Sequence, residues 1–117
     1  MSDSTNVPDG ATWVRLASVA DLEEDTAVHV DYDSVPVCLA RSAGQLHAIV
    51  DRCTHQDVPL SEGEVENGTI ECYMHGSRFD LTTGKALGPP AIDDVTVFPL
   101  RVEGNDIYVA VPPNLAD

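Results

Sequence analysis

The sequence predicts an all-β fold, an antiparallel sandwich or barrel. Short β-rich runs follow one another along the 117 residues, turn signals recur about every eight to twelve residues, and almost no stretch shows helical periodicity. The length is that of one domain, and a hydrophobic content of 43% suffices for a modest core.

The elements follow in order. Residues 1–10 are polar and acidic, too poor in apolar surface to order themselves, so a disordered N-terminal arm is expected. The folded domain is expected over 11–112, with a short tail at 113–117. Residues 13–17 alternate as a first strand with Trp13 in the core, and Ser18 caps a short acidic turn through Ala20, Asp21, Leu22 and Glu23. Residues 28–31 read as a short strand. Runs 37–41 and 45–50 flank Ser42-Ala43-Gly44 and read as a hairpin. A long loop over 51–67 precedes the strand Thr69-Ile70-Glu71, and a second loop runs from Cys72 through His75, Gly76 and Ser77. Phe79-Asp80-Leu81 and Lys85-Ala86-Leu87 bracket the turn Thr82-Thr83-Gly84, after which Gly88-Pro89-Pro90 breaks regular structure. Runs 95–101 and 106–111 form a last hairpin around Glu103-Gly104-Asn105.

Charge and composition exclude several function classes. Six basic residues against twenty acidic ones leave a net charge of −14, which repels nucleic acid and favours a partner with a basic face. The first ten residues have neither the basic nor the apolar region of a secretory signal, and no stretch approaches the roughly 18 apolar residues of a membrane span. A cytoplasmic protein without a membrane partner is the expectation. The three cysteines make an odd count, which suits metal or redox use in a reducing compartment better than a disulfide framework. Cys38, inside Val37-Cys38-Leu39-Ala40, reads as a small core hydrophobe, and His29 and His47 as ordinary structural residues.

The chemistry is carried by two pairs of metal-competent side chains, Cys53-Thr54-His55 and Cys72-Tyr73-Met74-His75, each on a loop that follows a strand. A Cys₂His₂ set can hold tetrahedral zinc, although zinc-finger spacing usually keeps the cysteines together and the histidines together. One Cys and one His per loop equally lets each loop serve both irons of a two-iron cluster. Spacing alone leaves both open.

The strings Cys53-Thr54-His55 and Cys72-Tyr73-Met74-His75-Gly76-Ser77 resemble the two-part ligand signature of Rieske ferredoxins. The likeness extends through Phe79-Asp80, Thr83-Gly84-Lys85 and Pro89-Pro90 and covers roughly residues 12–111. It implies an antiparallel β-sandwich with a small cluster-binding subdomain made of two loops. It also implies one [2Fe–2S] cluster, with Cys53 and Cys72 on one iron and His55 and His75 on the other. Neutral imidazoles in place of two thiolates remove negative charge and raise the potential above that of an all-cysteine cluster. Gly63, Gly76 and Gly84 are placed to let the loops turn tightly, and backbone N–H groups in those loops to donate to cluster sulfurs. Pro89-Pro90 would shield the cluster from water.

The chain departs from the high-potential members of that family. Their extra disulfide-forming cysteines correspond to Val58 and Met74 here, so packing must hold the loops. Their sulfur-bonding Tyr corresponds to Phe79, which has nothing to donate, although Ser77 remains. A potential near the low end of the Rieske range, about −150 mV rather than about +300 mV, is therefore expected. The resemblance implies a monomeric one-electron carrier, not catalytic alone, between a flavin-dependent ferredoxin reductase and a terminal non-haem iron oxygenase. Alternatives are a housekeeping Rieske ferredoxin linked to iron–sulfur assembly, or a structural zinc module. Glu62, Glu64, Glu66 and Glu71 form either a docking face for a basic reductase or a merely solvated one.

Overall fold

The computed structural model describes residues 12–32, 35–53, 58–74, 76–87 and 93–111. Nine strands are seen among them: β1 (Thr12–Ser18), β2 (Thr26–Tyr32), β3 (Val35–Ser42), β4 (Gln45–Val50), β5 (Glu64–Glu66), β6 (Thr69–Glu71), β7 (Arg78–Asp80), β8 (Leu100–Glu103) and β9 (Asp106–Val111). They form three antiparallel three-stranded sheets, ordered β1-β9-β8, β2-β3-β4 and β5-β6-β7. The only helical pieces among the described residues are single 3₁₀ turns at Val19–Asp21 and Leu60–Glu62. The all-β expectation holds, and the third sheet is the small subdomain. The N-terminal arm and the C-terminal tail lie outside the described residues.

Sheet β2-β3-β4 is the middle layer, and β3 shows why. Its run Val-Pro-Val-Cys-Leu-Ala is apolar at successive positions, the pattern of a strand covered on both faces. Val35, Val37 and Leu39 pack toward sheet β1-β9-β8 with Phe98, Ile107 and Val109. Cys38 and Ala40 join Ile49 on the opposite face, against Val65, Ile70, Phe79 and Leu81 of the small subdomain. Each fully buried large side chain contributes about 1.5–3 kcal/mol. Leu39→Ala, at 0% exposure, is expected to cost about 2–5 kcal/mol. Cys38 is the small core residue the sequence predicts; burial pushes its thiol well up in pKa, so it stays protonated.

Several boundaries differ from expectation, each for a local reason. In the first hairpin Ser42 pairs with Gln45, leaving a two-residue turn of Ala43 and Gly44 at φ 53° and 75°. The stretch 51–67 is not one loop, because β5 pairs with β6 through the two-residue turn Asn67-Gly68, at φ 53° and 77°. Asn-Gly is the strongest short hairpin signal, and it was available in the sequence. The last hairpin is shorter than residues 95–101 suggested: β8 begins at Leu100, and Val97 makes only an isolated bridge to Ile49. Ser18 does precede a turn, but its hydroxyl is spent on the Asn105 carbonyl at 3.2 Å. The Asp21 carboxylate instead accepts the Ser18 N–H at 3.0 Å. Trp13 is not core; it is half-buried on β1 beneath the Arg101 guanidinium, 4.6 Å from the ring centre.

Candidate metal centre

The small subdomain sets two loops beside each other. The second is a hairpin loop: Glu71 and Arg78 are register partners of β6 and β7, and residues 72–77 span the gap between them. Inside it the Cys72 N–H donates to the Ser77 carbonyl at 2.7 Å, and the Gly76 N–H to the Cys72 carbonyl at 3.0 Å. Gly76 sits at φ 78°, where a side chain would be strained and its Cβ would come within 3.3 Å of the Glu71 carboxylate. The first loop leaves β4 and returns through the 3₁₀ turn at Leu60, closed by the Cys53 N–H on the Val58 carbonyl at 3.0 Å. Gly63 follows this turn, and a Cβ there would collide with the Glu71 carbonyl oxygen, so the two loop bases approach to backbone contact. Gly63→Ala is expected to push the first loop off β6.

Cys53 and Cys72 are 2% and 1% exposed and belong to one core cluster, with Cys38, Ile70 and Phe79. No disulfide joins any of the three cysteines. Two thiols are thus brought from separate loops into a common apolar site, which fits a metal centre requiring two thiolates shielded from water. His55 and His75, two and three residues further on, lie outside the described residues, as does the Pro89-Pro90 segment. Among the described residues no three metal-competent side chains gather, because two of the four expected donors are not among them.

The N–H groups of the three loop glycines are engaged within the protein. Gly63 donates to the Leu60 carbonyl at 2.9 Å, Gly76 to Cys72 at 3.0 Å and Gly84 to Asp80 at 2.7 Å. Their hydrogens shape the loops. Ser77, the other expected donor, is 1% exposed.

The surface around the second loop is mixed. Tyr73 and Met74, between the cysteine and the histidine, are 49% and 47% exposed, and Leu87, whose N–H bonds the Arg78 carbonyl, is 48% exposed. Next to Tyr73 an open depression of about 270 Å³ is lined by Glu62, Gly63, Glu64 and Glu71. His47 is half-buried, and burial lowers its pKa. His29 is a structural histidine with both ring nitrogens satisfied. It stands between Asp31 and the buried Asp51, and the Asp51 hydrogen bond raises its pKa most. Nothing in the local sequence marks Asp51, since its partners come from residues 22 positions before it and 10 after it.

Comparison with known proteins decides between zinc and a two-iron cluster. The model of the Rieske [2Fe-2S] domain matches residues 12–99. The chain belongs to the Rieske [2Fe–2S] family. The 3-phenylpropionate/cinnamic acid dioxygenase ferredoxin subunits of Shigella boydii serotype 4 and Escherichia coli K12 are 43% identical over 100 residues, 85% of this chain and 93% of theirs. Among solved structures, the ferredoxin of carbazole 1,9a-dioxygenase from Nocardioides aromaticivorans superposes with TM-score 0.78 at 30% identity, covering 86% of this chain and 98% of that one. A chain in the complex of reduced oxygenase and oxidized ferredoxin of carbazole 1,9a-dioxygenase gives 0.81 at 31% identity, covering 88% and 96%. The Rieske domain's cofactor is one [2Fe–2S] cluster, and the protein is an electron-transfer component rather than a catalyst alone. Among the described residues no helix is long and apolar enough to cross a membrane.

Proposed function

We propose that this Rieske protein takes one electron from a flavin-dependent reductase and delivers it to a terminal non-haem iron oxygenase. Cys53 and Cys72 hold one iron, and His55 and His75 the other. The observation that carries the reading is the burial of both thiols in one cluster beneath a loop whose outer residues, Tyr73 and Met74, are exposed. The relatives that are dioxygenase ferredoxin subunits support the same assignment.

When bound, the cluster supplies a one-electron couple held above the potential of an all-cysteine centre by its neutral imidazole ligands. The chain's own residues do the rest. Phe79, Ile70 and Leu81 exclude water from the thiol side, and the hairpin register of β6 and β7 fixes the second loop. Tyr73, Met74 and Leu87 offer an apolar contact to an oxygenase near the ligand loops. Glu62, Glu64 and Glu71 provide the acidic flank that a basic reductase face would meet, and the buried cysteines suit the reducing cytoplasm.

The purified protein should be brown, contain acid-labile sulfide and give a rhombic EPR signal on reduction. Replacing His75 by Ser should abolish that signal. A colourless protein with stoichiometric zinc would end this reading. Electron transfer from a reductase should slow as salt screens the acidic flank; a rate independent of salt would remove that flank from docking.

A further inference from the structure

The first ligand loop lacks what closes the second. β4 and the 3₁₀ turn at Leu60–Glu62 do not pair, so no hairpin register holds the loop's two ends together. The disulfide of the high-potential members is also missing, because Val58 and Met74 stand in those places. A buried carboxylate occupies the gap. The Asp51 side chain is 0% exposed. Its Oδ1 accepts the Ser61 N–H at 2.7 Å, and its Oδ2 accepts the Ser61 hydroxyl at 2.6 Å and lies 2.5 Å from His29 Nδ1. Its backbone N–H donates to the Pro36 carbonyl at 2.9 Å. Residue 51 is the first after β4 and residue 61 lies in the turn that ends the loop, so this closure sits outside the Cys53–Val58 one. His29 is on β2 and Pro36 on β3, which ties both loop ends to the middle sheet.

We propose that Asp51 is a positioning residue of the metal centre: its carboxylate closes the first ligand loop and fastens it through His29 to the middle sheet, setting where Cys53 stands. The proposal rests on the reading of Cys53 as a ligand. Removing the carboxylate strands the part-buried Ser61 N–H and hydroxyl and releases the loop ends from each other. Partners one step outside a metal's ligands typically change its affinity about 10- to 100-fold. An Asn at this position can still accept the Ser61 N–H and donate from its amide to the Ser61 hydroxyl or to a neutral His29, so it keeps the closure. An Ala cannot.

The test uses the loaded full-length protein. Cluster release to a chelator is followed by loss of visible absorbance, loop order by the width of the EPR lines, and general stability by the urea unfolding midpoint of the loaded protein read from Trp13. Asp51→Ala and Ser61→Ala should release the cluster about 10- to 100-fold faster and broaden the EPR lines, while Asp51→Asn should restore both toward wild type. Release by Asp51→Ala at the wild-type rate overturns the proposal. So does faster release that merely parallels a lower unfolding midpoint with unchanged EPR lines, since that marks ordinary stability. Cys53→Ala separates the premise: if it keeps a full cluster, the ligand reading fails, whereas if it is colourless and Asp51→Ala is silent, only the positioning role fails.

Discussion

Glu71 and Arg78 stand at the two ends of the loop 72–77 and meet as an ion pair, Oε1 to Nη2 at 2.9 Å. Arg78 also donates through Nη1 to Thr69 Oγ1 at 3.1 Å, so its guanidinium crosses from β7 onto β6. The pair is about one-third exposed on each side, which keeps its worth near that of a surface salt bridge. Backbone register and buried Phe79 therefore hold the loop, and the ion pair adds a modest increment. Glu71→Gln should lower the unfolding free energy by about 0.5 kcal/mol, and Arg78→Ala, which also loses Thr69, by about 1 kcal/mol. Urea titrations at low and high salt check this. The Glu71 effect should shrink as salt rises; a loss above about 2 kcal/mol, well beyond the usual worth of such a pair, would mean that the pair carries the loop.

Phe79 is wholly buried in the cluster that holds Cys53 and Cys72, and it has no hydroxyl to place against a sulfur. With one donor fewer, more electron density stays on the sulfurs and the reduced state is less favoured. The reduction midpoint is expected near about −150 mV, at the low end of the Rieske range. Ser77→Ala should lower it further if the Ser77 hydroxyl is the remaining donor. Protein-film voltammetry measures both. A wild-type midpoint above about +100 mV would rule out the account based on Phe79.

The two tight hairpins offer a paired comparison. Asn67-Gly68 and Ala43-Gly44 both have positive φ at both turn positions, but Ala43 lacks the short polar side chain that makes this conformation tolerable. Ala43→Asn should raise stability by about 0.5–1 kcal/mol, a gain of about 3–6 °C in the thermal midpoint. Gly68→Ala should do the reverse, costing about 1 kcal/mol. A Cβ at Gly68 meets nothing within 4 Å, so that cost is purely conformational. Differential scanning calorimetry of the loaded protein separates the signs, and an unchanged midpoint in Ala43→Asn would show that the turn carries no strain.

What the sequence revealed and what it hid follow one physical division. Features written in consecutive residues were legible: the apolar run of β3, the Cys-x-His and Cys-x-x-His strings that mark the Rieske family, and the turn at Thr82-Thr83-Gly84. Asn67-Gly68 was equally local, but β5 before it is only Glu64-Val65-Glu66, too short and too acidic to carry a strand signal of its own. The Asp51 network was not legible, because its members sit on β2, after β4 and in a 3₁₀ turn, brought together only when the middle sheet forms. Trp13 misled for a related reason. Its size suggested the core, but its place on β1 is under Arg101 from β8, a neighbour that only sheet topology supplies.

His29 makes one pH dependence specific enough to test. Its pKa is raised chiefly by the hydrogen bond to Asp51, against an opposing contribution from burial and with further help from Asp31. The folded protein therefore favours the protonated ring more than the unfolded chain does. That stabilisation is complete below the unfolded value of about 6.5 and is lost as pH rises through the higher folded value. His47 acts in the opposite sense: burial lowers its pKa, so its contribution is present above about 6.5 and is lost as pH falls through the lower folded value. Comparing wild type with His29→Gln isolates the first effect from His47 and from the carboxylates common to both. The His29 side chain is 41% exposed, so solvent screening limits the difference to below about 1 kcal/mol. Thermal midpoints of the two proteins should be furthest apart near pH 6 and converge as pH rises into the alkaline range. A gap that widens with rising pH would show that the Asp51 carboxylate prefers the neutral ring, reversing the role assigned to the proton between them.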